Sequence, residues 1–201
     1  MEFLRSEREI IESWRTTFPL LSMVCISYNH EKFIEKTLVS FLEQVTNFPI
    51  EIICYDDCSS DTTRKVIEKY QKRYPNIIKV MFPEENQFKK GVKPFIDIVL
   101  PQCRGNYIAR CECDDYWTDP QKVQKQVSFL EQNKEYVLVT HDIHTIDEND
   151  NFVSSTHLDA FYKRDFTSEE LRCAWAGPVT QAILFRNVIK EFPPEFAKTF
   201  L

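Results

Sequence analysis

Tyr107-Ile108-Ala109-Arg110-Cys111-Glu112-Cys113-Asp114-Asp115-Tyr116-Trp117 runs from an alternating, strand-like stretch straight into three carboxylates. Like charges so close together repel one another and resist burial. At the exit of a strand fit for a core, such a cluster points to a cation held among the acids. Hard oxygen ligands suit Mg²⁺ or Mn²⁺. A second acidic strand end, Tyr55-Asp56-Asp57, lies upstream.

Around these two ends the chain alternates strand and helix patterns. Residues 21–28 are a short apolar run ending at Asn29, and Ile34, Leu38, Phe41 and Leu42 follow at the spacing of one helical face. Residues 51–55 hold Ile52-Ile53-Cys54 in unbroken succession, as a strand covered on both faces would. Val66, Ile67, Tyr70 and Tyr74 mark a second helix, stopped by Pro75-Asn76, and residues 77–82 read as a third strand. Residues 95–100 form a third helical segment and 106–111 a fourth strand. Asp119-Pro120 reads as a helix start, with Asp as N-cap and Pro in the first position, and Val123, Val127 and Leu130 supply its buried face.

That rhythm predicts an α/β fold, Rossmann-like and three-layered, with a mostly parallel central sheet and right-handed crossovers. Ligands in such sheets bind beyond the carboxyl ends of the strands. Tyr28-Asn29, Asp56-Asp57 and residues 112–115 all fall at such ends. Two flanking regions read differently. Residues 3–15 place Phe3, Leu4, Ile10, Ile11 and Trp14 among charges, an amphipathic helix within a leader of residues 1–19. The helix can dock on the domain of residues 20–201, meet a second copy or lie on a membrane surface. Past residue 135, residues 136–146 alternate loosely, 147–151 form a turn and 152–156 pair back as a hairpin. Residues 167–173 look helical, and a strand over 181–185 follows Gly177.

Composition narrows the functional classes. The 201 residues carry a formal net charge of −6, which argues against a nucleic-acid binder with a basic stripe. Seven cysteines form no CxxC pair and an odd count, so they read as buried reduced thiols in a reducing compartment. The N-terminus is too charged for a signal peptide, and no apolar stretch reaches the roughly 18 residues that cross a bilayer. The protein therefore reads as cytoplasmic, with the inner face of the membrane open to peripheral contact through the leader. Gly91, Gly105 and Gly177 are the only glycines, so neither a GxGxxG fingerprint nor a GxxxxGK[ST] loop exists to cradle phosphate. A diphosphate bound here needs a cation held by carboxylates. The pattern favours a nucleotide diphosphate bridged by metal over a dinucleotide.

The residues carrying this reading resemble the family-two glycosyltransferases, which have the nucleotide-sugar fold called GT-A. The resemblance spans Met23-Val24-Cys25-Ile26-Ser27-Tyr28-Asn29, then Tyr55-Asp56-Asp57-Cys58-Ser59-Ser60-Asp61-Thr62-Thr63, and then Gly105-Asn106-Tyr107-Ile108-Ala109 into Glu112-Cys113-Asp114-Asp115-Tyr116-Trp117-Thr118-Asp119-Pro120. It is closest in flavour to bacterial enzymes that build surface polysaccharides. It implies that Tyr28 stacks near the nucleotide base and that Asp57 hydrogen-bonds the base ring. Glu112-x-Asp114 takes the family's DXD position: Asp114 ligates Mn²⁺ or Mg²⁺ on the diphosphate, and Glu112 touches the ribose or a metal-bound water. Asp115 assists at the metal or faces the sugar. Glu112 departs from the commoner Asp, which puts its direct ligation in question.

The implied reaction moves a sugar from a nucleotide-diphosphate donor, a UDP-sugar, to a hydroxyl of a carbohydrate or lipid-linked acceptor, with inversion. The general base is not found. Glu191 and Glu195 follow the segment where the family carries it, yet neither sits in a recognisable motif. The chain is therefore expected to stop at Leu201 short of its base, as a fragment. A nucleotidyltransferase and a non-catalytic sugar-nucleotide-binding domain stay open.

Several residues invite plainer readings. Ser60 and Asp61 cap the helix that follows, Trp117 anchors packing, and His30 starts a helix. His141 and His144, three apart on a strand, point to opposite faces and chelate poorly. Lys89-Lys90 reads equally well as a surface pair. Asn86, Lys90 and Lys93 lie where such enzymes contact phosphate or sugar.

Overall fold

Unbroken apolar runs make the two central strands, β1 (Leu21–Ser27) and β2 (Ile50–Asp56), buried along almost their whole length. The computed structural model describes residues 4–173 and 178–188. Within them, β3 (Ile78–Met81) flanks β2, and β4 (Tyr107–Arg110) flanks β1 on its other side, all parallel. The six-stranded sheet has the order β3-β2-β1-β4-β8-β5. Here β5 is Leu138–Val139, and β8 (Leu184–Arg186) runs antiparallel to both β4 and β5. The chain moves outward from β1 to β3 and then crosses back to β4 on the far side of β1. That reversal makes the carboxyl ends of β1 and β4 a topological switch point.

Strand alternation divides the core into two. Met23, Cys25, Ile52, Cys54 and Ala109 face one side, where α2 (Ile34–Leu42), α3 (Thr63–Arg73) and α4 (Lys122–Gln132) lay their apolar stripes. Val24, Ile53, Tyr55 and Ile108 face the other and meet Val99 and Leu100. The segment carrying those two is a π-helical turn (Pro94–Val99) followed by a 3₁₀ turn (Leu100–Gln102), where the sequence suggested a plain helix. Helices over one face and these turns over the other give three layers. Gly105 allows β4 to approach β1 closely: a Cβ there would lie 2.5 Å from the Ser22 backbone nitrogen.

The flanking regions correct three expectations. The leader helix is α1 (Glu7–Ile11), five residues rather than 3–15. Ser13 Oγ bonds the Ile10 carbonyl at 2.7 Å and offers the backbone an alternative to the next turn. The leader docks on the domain, with Ile10 in the main core, Arg5 Nη2 donating to the Gln44 carbonyl and Glu7 accepting from the Asn76 amide. α4 begins at Lys122, two residues beyond Pro120, because the Asp119 side chain accepts from Gln121 N and closes a turn first. The strand expected over 181–185 is a 3₁₀ turn (Thr180–Ala182) running into β8. As expected, β6 (Thr145–Ile146) and β7 (Phe152–Ser154) pair as a hairpin, and α5 (Ser168–Arg172) follows with Thr167 as its cap.

Candidate functional site

The ends of β1 and β2 are stitched into one edge. Asp56, fully buried, accepts from Ser27 Oγ at 3.0 Å, from Ser59 Oγ, and from Ser59 N at 3.1 Å. Asn29 and Cys58 adopt left-handed backbone, φ 58° and 63°. Asn29 N donates to Ser59 Oγ at 2.8 Å, and its own Oδ1 accepts from Ser60 N at 2.9 Å. This leaves Tyr28 projecting from the edge, 39% exposed, with Lys89 Nζ 3.4 Å from its hydroxyl.

Asp57 sits beneath that edge, 3% exposed. Its Oδ1 accepts from Gln87 N and from Tyr55 Oη, both at 2.8 Å, and its Oδ2 accepts from Phe88 N at 3.0 Å. Oδ2 keeps acceptor capacity for one further donor. Burial, aided by this carboxylate, pushes the Tyr55 phenol well above its ordinary value.

At the neighbouring strand end the chain turns at Glu112, with Asp115 N donating to the Glu112 carbonyl at 3.2 Å. Cys111 and Cys113 point into the core while Glu112, Asp114 and Asp115 face outward, Asp114 exposed and Asp115 half-buried. Thr37, in the buried stripe of α2, fixes this turn: its hydroxyl lies 3.0 Å from the Cys113 carbonyl and 2.7 Å from that of Asp115. Arg110 Nη2 pairs with Glu112 at 3.3 Å, and its guanidinium lies 4.0 Å from the centre of the Phe95 ring. Burial, together with the charges of Asp114 and Glu112, pushes the Asp115 carboxyl up to about 6.

The acids do not form a closed cage. No group of three metal-ligating side chains converges among the described residues. Glu112 is engaged by Arg110, which leaves Asp114 and Asp115 as the acids of the turn without a basic partner among the described residues. Two carboxylates still fit a hard divalent cation, because Mg²⁺-like ions are commonly held by one or two protein carboxylates, with substrate phosphates and water completing the shell. Burial first, and then the unneutralised repulsion of its acidic neighbours, keeps the Asp115 carboxyl raised.

A sequence profile of the family described as Glycosyl transferase family 2 matches residues 22–191. This chain belongs to glycosyl transferase family 2. It is 38% identical over 151 residues to the uncharacterized protein Rv1520 of Mycobacterium tuberculosis, covering 75% of this chain and 42% of that one. The putative teichuronic acid biosynthesis glycosyltransferase TuaG of Bacillus subtilis is 36% identical over 112 residues, 56% of this chain and 42% of its own length. The chain thus spans about two fifths of the relatives it matches. Among solved structures, S. aureus TarS 1–349 in complex with UDP superposes with a TM-score of 0.64 at 21% identity, covering 89% of this chain and 52% of that one. That likeness shows the GT-A fold.

Within this family-two chain, Tyr28, Asp57 and the 112–115 turn lie just past the ends of the adjacent strands β1, β2 and β4, where the sequence placed them. Other expectations shift. Asp61 does cap, accepting from Thr63 N at 2.9 Å, but Ser60 bonds Asn29 instead. Asn86 is committed to Asp57 O and to Lys89 N, and Lys90 pairs with Glu85. Lys93 N donates to Asp97. Trp117 packs as expected, stacked on Phe41 at 4.4 Å with its Nε1 on the Gln181 carbonyl. His30 donates its backbone N–H to Thr63 Oγ1 and accepts from Phe33 N, a helix-start role. His141 and His144 line one cavity rather than opposite faces, because residues 141–144 are irregular and not a strand. Cys58 and Cys173 are exposed; the other five cysteines are buried, and all seven are free. Gly177, Glu191 and Glu195 lie outside the described residues. Arg110 and Thr37 were missed. The signal for Arg110 was its place two residues before Glu112 on one strand face. For Thr37 it was a polar residue interrupting an apolar helical stripe.

Proposed function

We propose that this domain binds a nucleotide-diphosphate sugar across the ends of β1, β2 and β4 and transfers the sugar, with inversion, to an acceptor hydroxyl in surface-polysaccharide synthesis. The observation that carries the reading is the meeting of a base-sized aromatic edge and a carboxylate pair at a topological switch point, with no glycine-rich phosphate loop. Tyr28 offers its ring to the nucleobase. Asp57 Oδ2 accepts from a ring N–H, as the imide of a uracil supplies. Glu112, steadied by Arg110, faces the ribose. Asp114 and Asp115 would hold Mn²⁺ or Mg²⁺, which supplies charge neutralisation for the departing diphosphate. The half-buried guanidinium of Arg110 keeps a second positive charge beside the turn. TarS was crystallised with UDP, which supports a UDP-sugar donor, and TuaG is named for teichuronic acid biosynthesis, which supports a carbohydrate acceptor.

Calorimetry with UDP, GDP, CDP and UTP, with and without Mn²⁺, tests the proposal. UDP binding that strengthens with Mn²⁺ and weakens in Asp114→Ala is the expected result. Unchanged affinity in that variant with Mn²⁺ present refutes the assignment. Tighter binding of UTP than UDP points to nucleotidyl transfer instead.

A further inference from the structure

A cavity of about 630 Å³ opens beside the acid turn, between α4 and residues 139–146, which are irregular over 140–144. Its volume lies within the range of small-molecule sites. Asp115 lines it, so its contents would sit next to the proposed donor.

One lining group has no counter-charge. Lys122 is 6% exposed, yet it lies at the cavity wall. Its Nζ donates to Gln126 Oε1 at 2.9 Å and sits 4.1 Å from the centre of the Trp117 ring. It forms no ion pair with a described residue. Gln126 is itself fixed, its Nε2 donating to the Ala182 carbonyl at 2.8 Å, so the lysine head is held in place. Of the other charges around the cavity, Lys125 pairs with Asp119 and Asp142 with Lys163, each at 2.7 Å, while Asp115, at the end nearest the acid turn, has no basic partner among the described residues. Burial pulls the Lys122 ammonium down to about 7, opposed by Cys111, and burial lowers His141 as well. A buried ammonium supported only by an amide oxygen and an aromatic face is costly until an anion arrives.

A second atom also lacks a partner. The Thr140 hydroxyl, at the same wall, is buried with no hydrogen bond. Buried polar groups are normally satisfied, so an orphan hydroxyl on a residue that lines the cavity leaves a partner to be supplied, and a small rotation would bring it to a ligand hydroxyl there. Ammonium, free hydroxyl and indole together describe a site for a polyhydroxylated anion.

We propose that this cavity is the acceptor subsite for an acidic sugar, whose carboxylate or phosphate pairs with Lys122 while a ring hydroxyl bonds Thr140. The inference rests on the glycosyltransferase reading above and specifies its acceptor class. It requires no new covalent step, since the acid group is only bound.

The test titrates the 201-residue protein, with UDP and Mn²⁺ present, by ligand-observed NMR. The probes are methyl β-glucuronide, glucose 1-phosphate and methyl β-glucoside. At least one anionic probe should bind more than tenfold more tightly than the neutral glycoside, and whichever does so identifies carboxylate or phosphate as the group recognised. Lys122→Met should abolish that preference while keeping UDP affinity, and Lys122→Gln serves if the methionine variant does not fold. Equal binding of charged and neutral probes, no binding of any, or a preference that survives loss of the ammonium overturns the proposal. If UDP fails to bind but the anion preference holds and depends on Lys122, the donor reading fails and the anion site stands.

Discussion

Asp57→Asn should unfold this domain more readily, although it exchanges one atom for another of nearly equal size. The carboxylate is 3% exposed and accepts three hydrogen bonds, two at Oδ1 and one at Oδ2. An asparagine amide has only one acceptor oxygen. If that oxygen takes the Oδ1 place, the NH₂ confronts Phe88 N. If the amide flips, it confronts Gln87 N, because the Tyr55 hydroxyl can turn and accept but a backbone N–H cannot. Either way one buried N–H is orphaned, which costs about 1–3 kcal/mol. The bonds that survive lose their charge assistance, roughly 1 kcal/mol more each. The expected loss is therefore about 3–5 kcal/mol, read as a lower urea midpoint with an unchanged slope. Asp114→Asn is the matched control: that side chain is exposed, so stability should stay within about 0.5 kcal/mol while Mn²⁺-dependent UDP binding falls. If the two variants unfold alike, Asp57 is not the fastener of the 86–88 segment and the argument fails.

Gly105→Ala should destabilise by about 1–3 kcal/mol in the same assay, since its Cβ would meet backbone atoms of β1 at 2.5–2.9 Å that can yield only by moving the strand. Glu51 is held below the ordinary glutamate value: burial pushes it up, but bonds from Lys79, Arg104 and Ser22 outweigh that. Its stabilisation is thus present above the unfolded value and lost as pH falls through the folded one, so Glu51→Gln should differ most from wild type at neutral pH and converge with it only once pH has fallen below the lowered folded value. Asp115 has the opposite sign. With its carboxyl raised from 3.8 to about 6, ionisation weakens the metal-free fold across that window, so Asp115→Asn should be the more stable protein above pH 6 and match wild type below 3.8. Mn²⁺ affinity of the wild type, measured by calorimetry, should climb as pH passes through the same window.

Most of the sheet was legible because both-face burial leaves an unbroken apolar signature, as in Ile52-Ile53-Cys54, and because helices α2 to α4 keep a clean buried face. The strand ends followed from the carboxylates, which have no reason to sit at a core strand's exit unless the edge binds something. Local side-chain chemistry was harder to read. Ser13 cuts α1 short, and Asp119 delays α4, through hydrogen bonds that periodicity does not encode. For Glu112 the sequence left direct ligation in question, but spacing alone did not show that Arg110, two residues back, pairs with it. Lys122 was invisible for a different reason. A lysine near a helix start reads as solvent-facing, and only the packing of Trp117 and Gln126 around it shows otherwise.

The two halves of the edge solve one physical problem in different ways. A binding edge needs backbone that bends sharply at the strand ends, and this chain has almost no glycine to do it. At β1 and β2, Asn29 and Cys58 take the left-handed region themselves, a strain of about 1 kcal/mol or more each. It is offset locally: Asn29 is bonded on both its backbone and side chain to Ser59 and Ser60, and Cys58 N donates to Asp56 O at 2.8 Å. At β4 no such strain is needed, because Thr37 reaches across from α2 and binds the turn's carbonyls from outside. The first half is therefore rigid through its own sequence, while the acid turn depends on a helix whose position is set by the core. A ligand that loads Asp114 and Asp115 should stiffen the acid turn far more than the Tyr28–Asp57 edge, since only the turn carries repulsion for a cation to relieve.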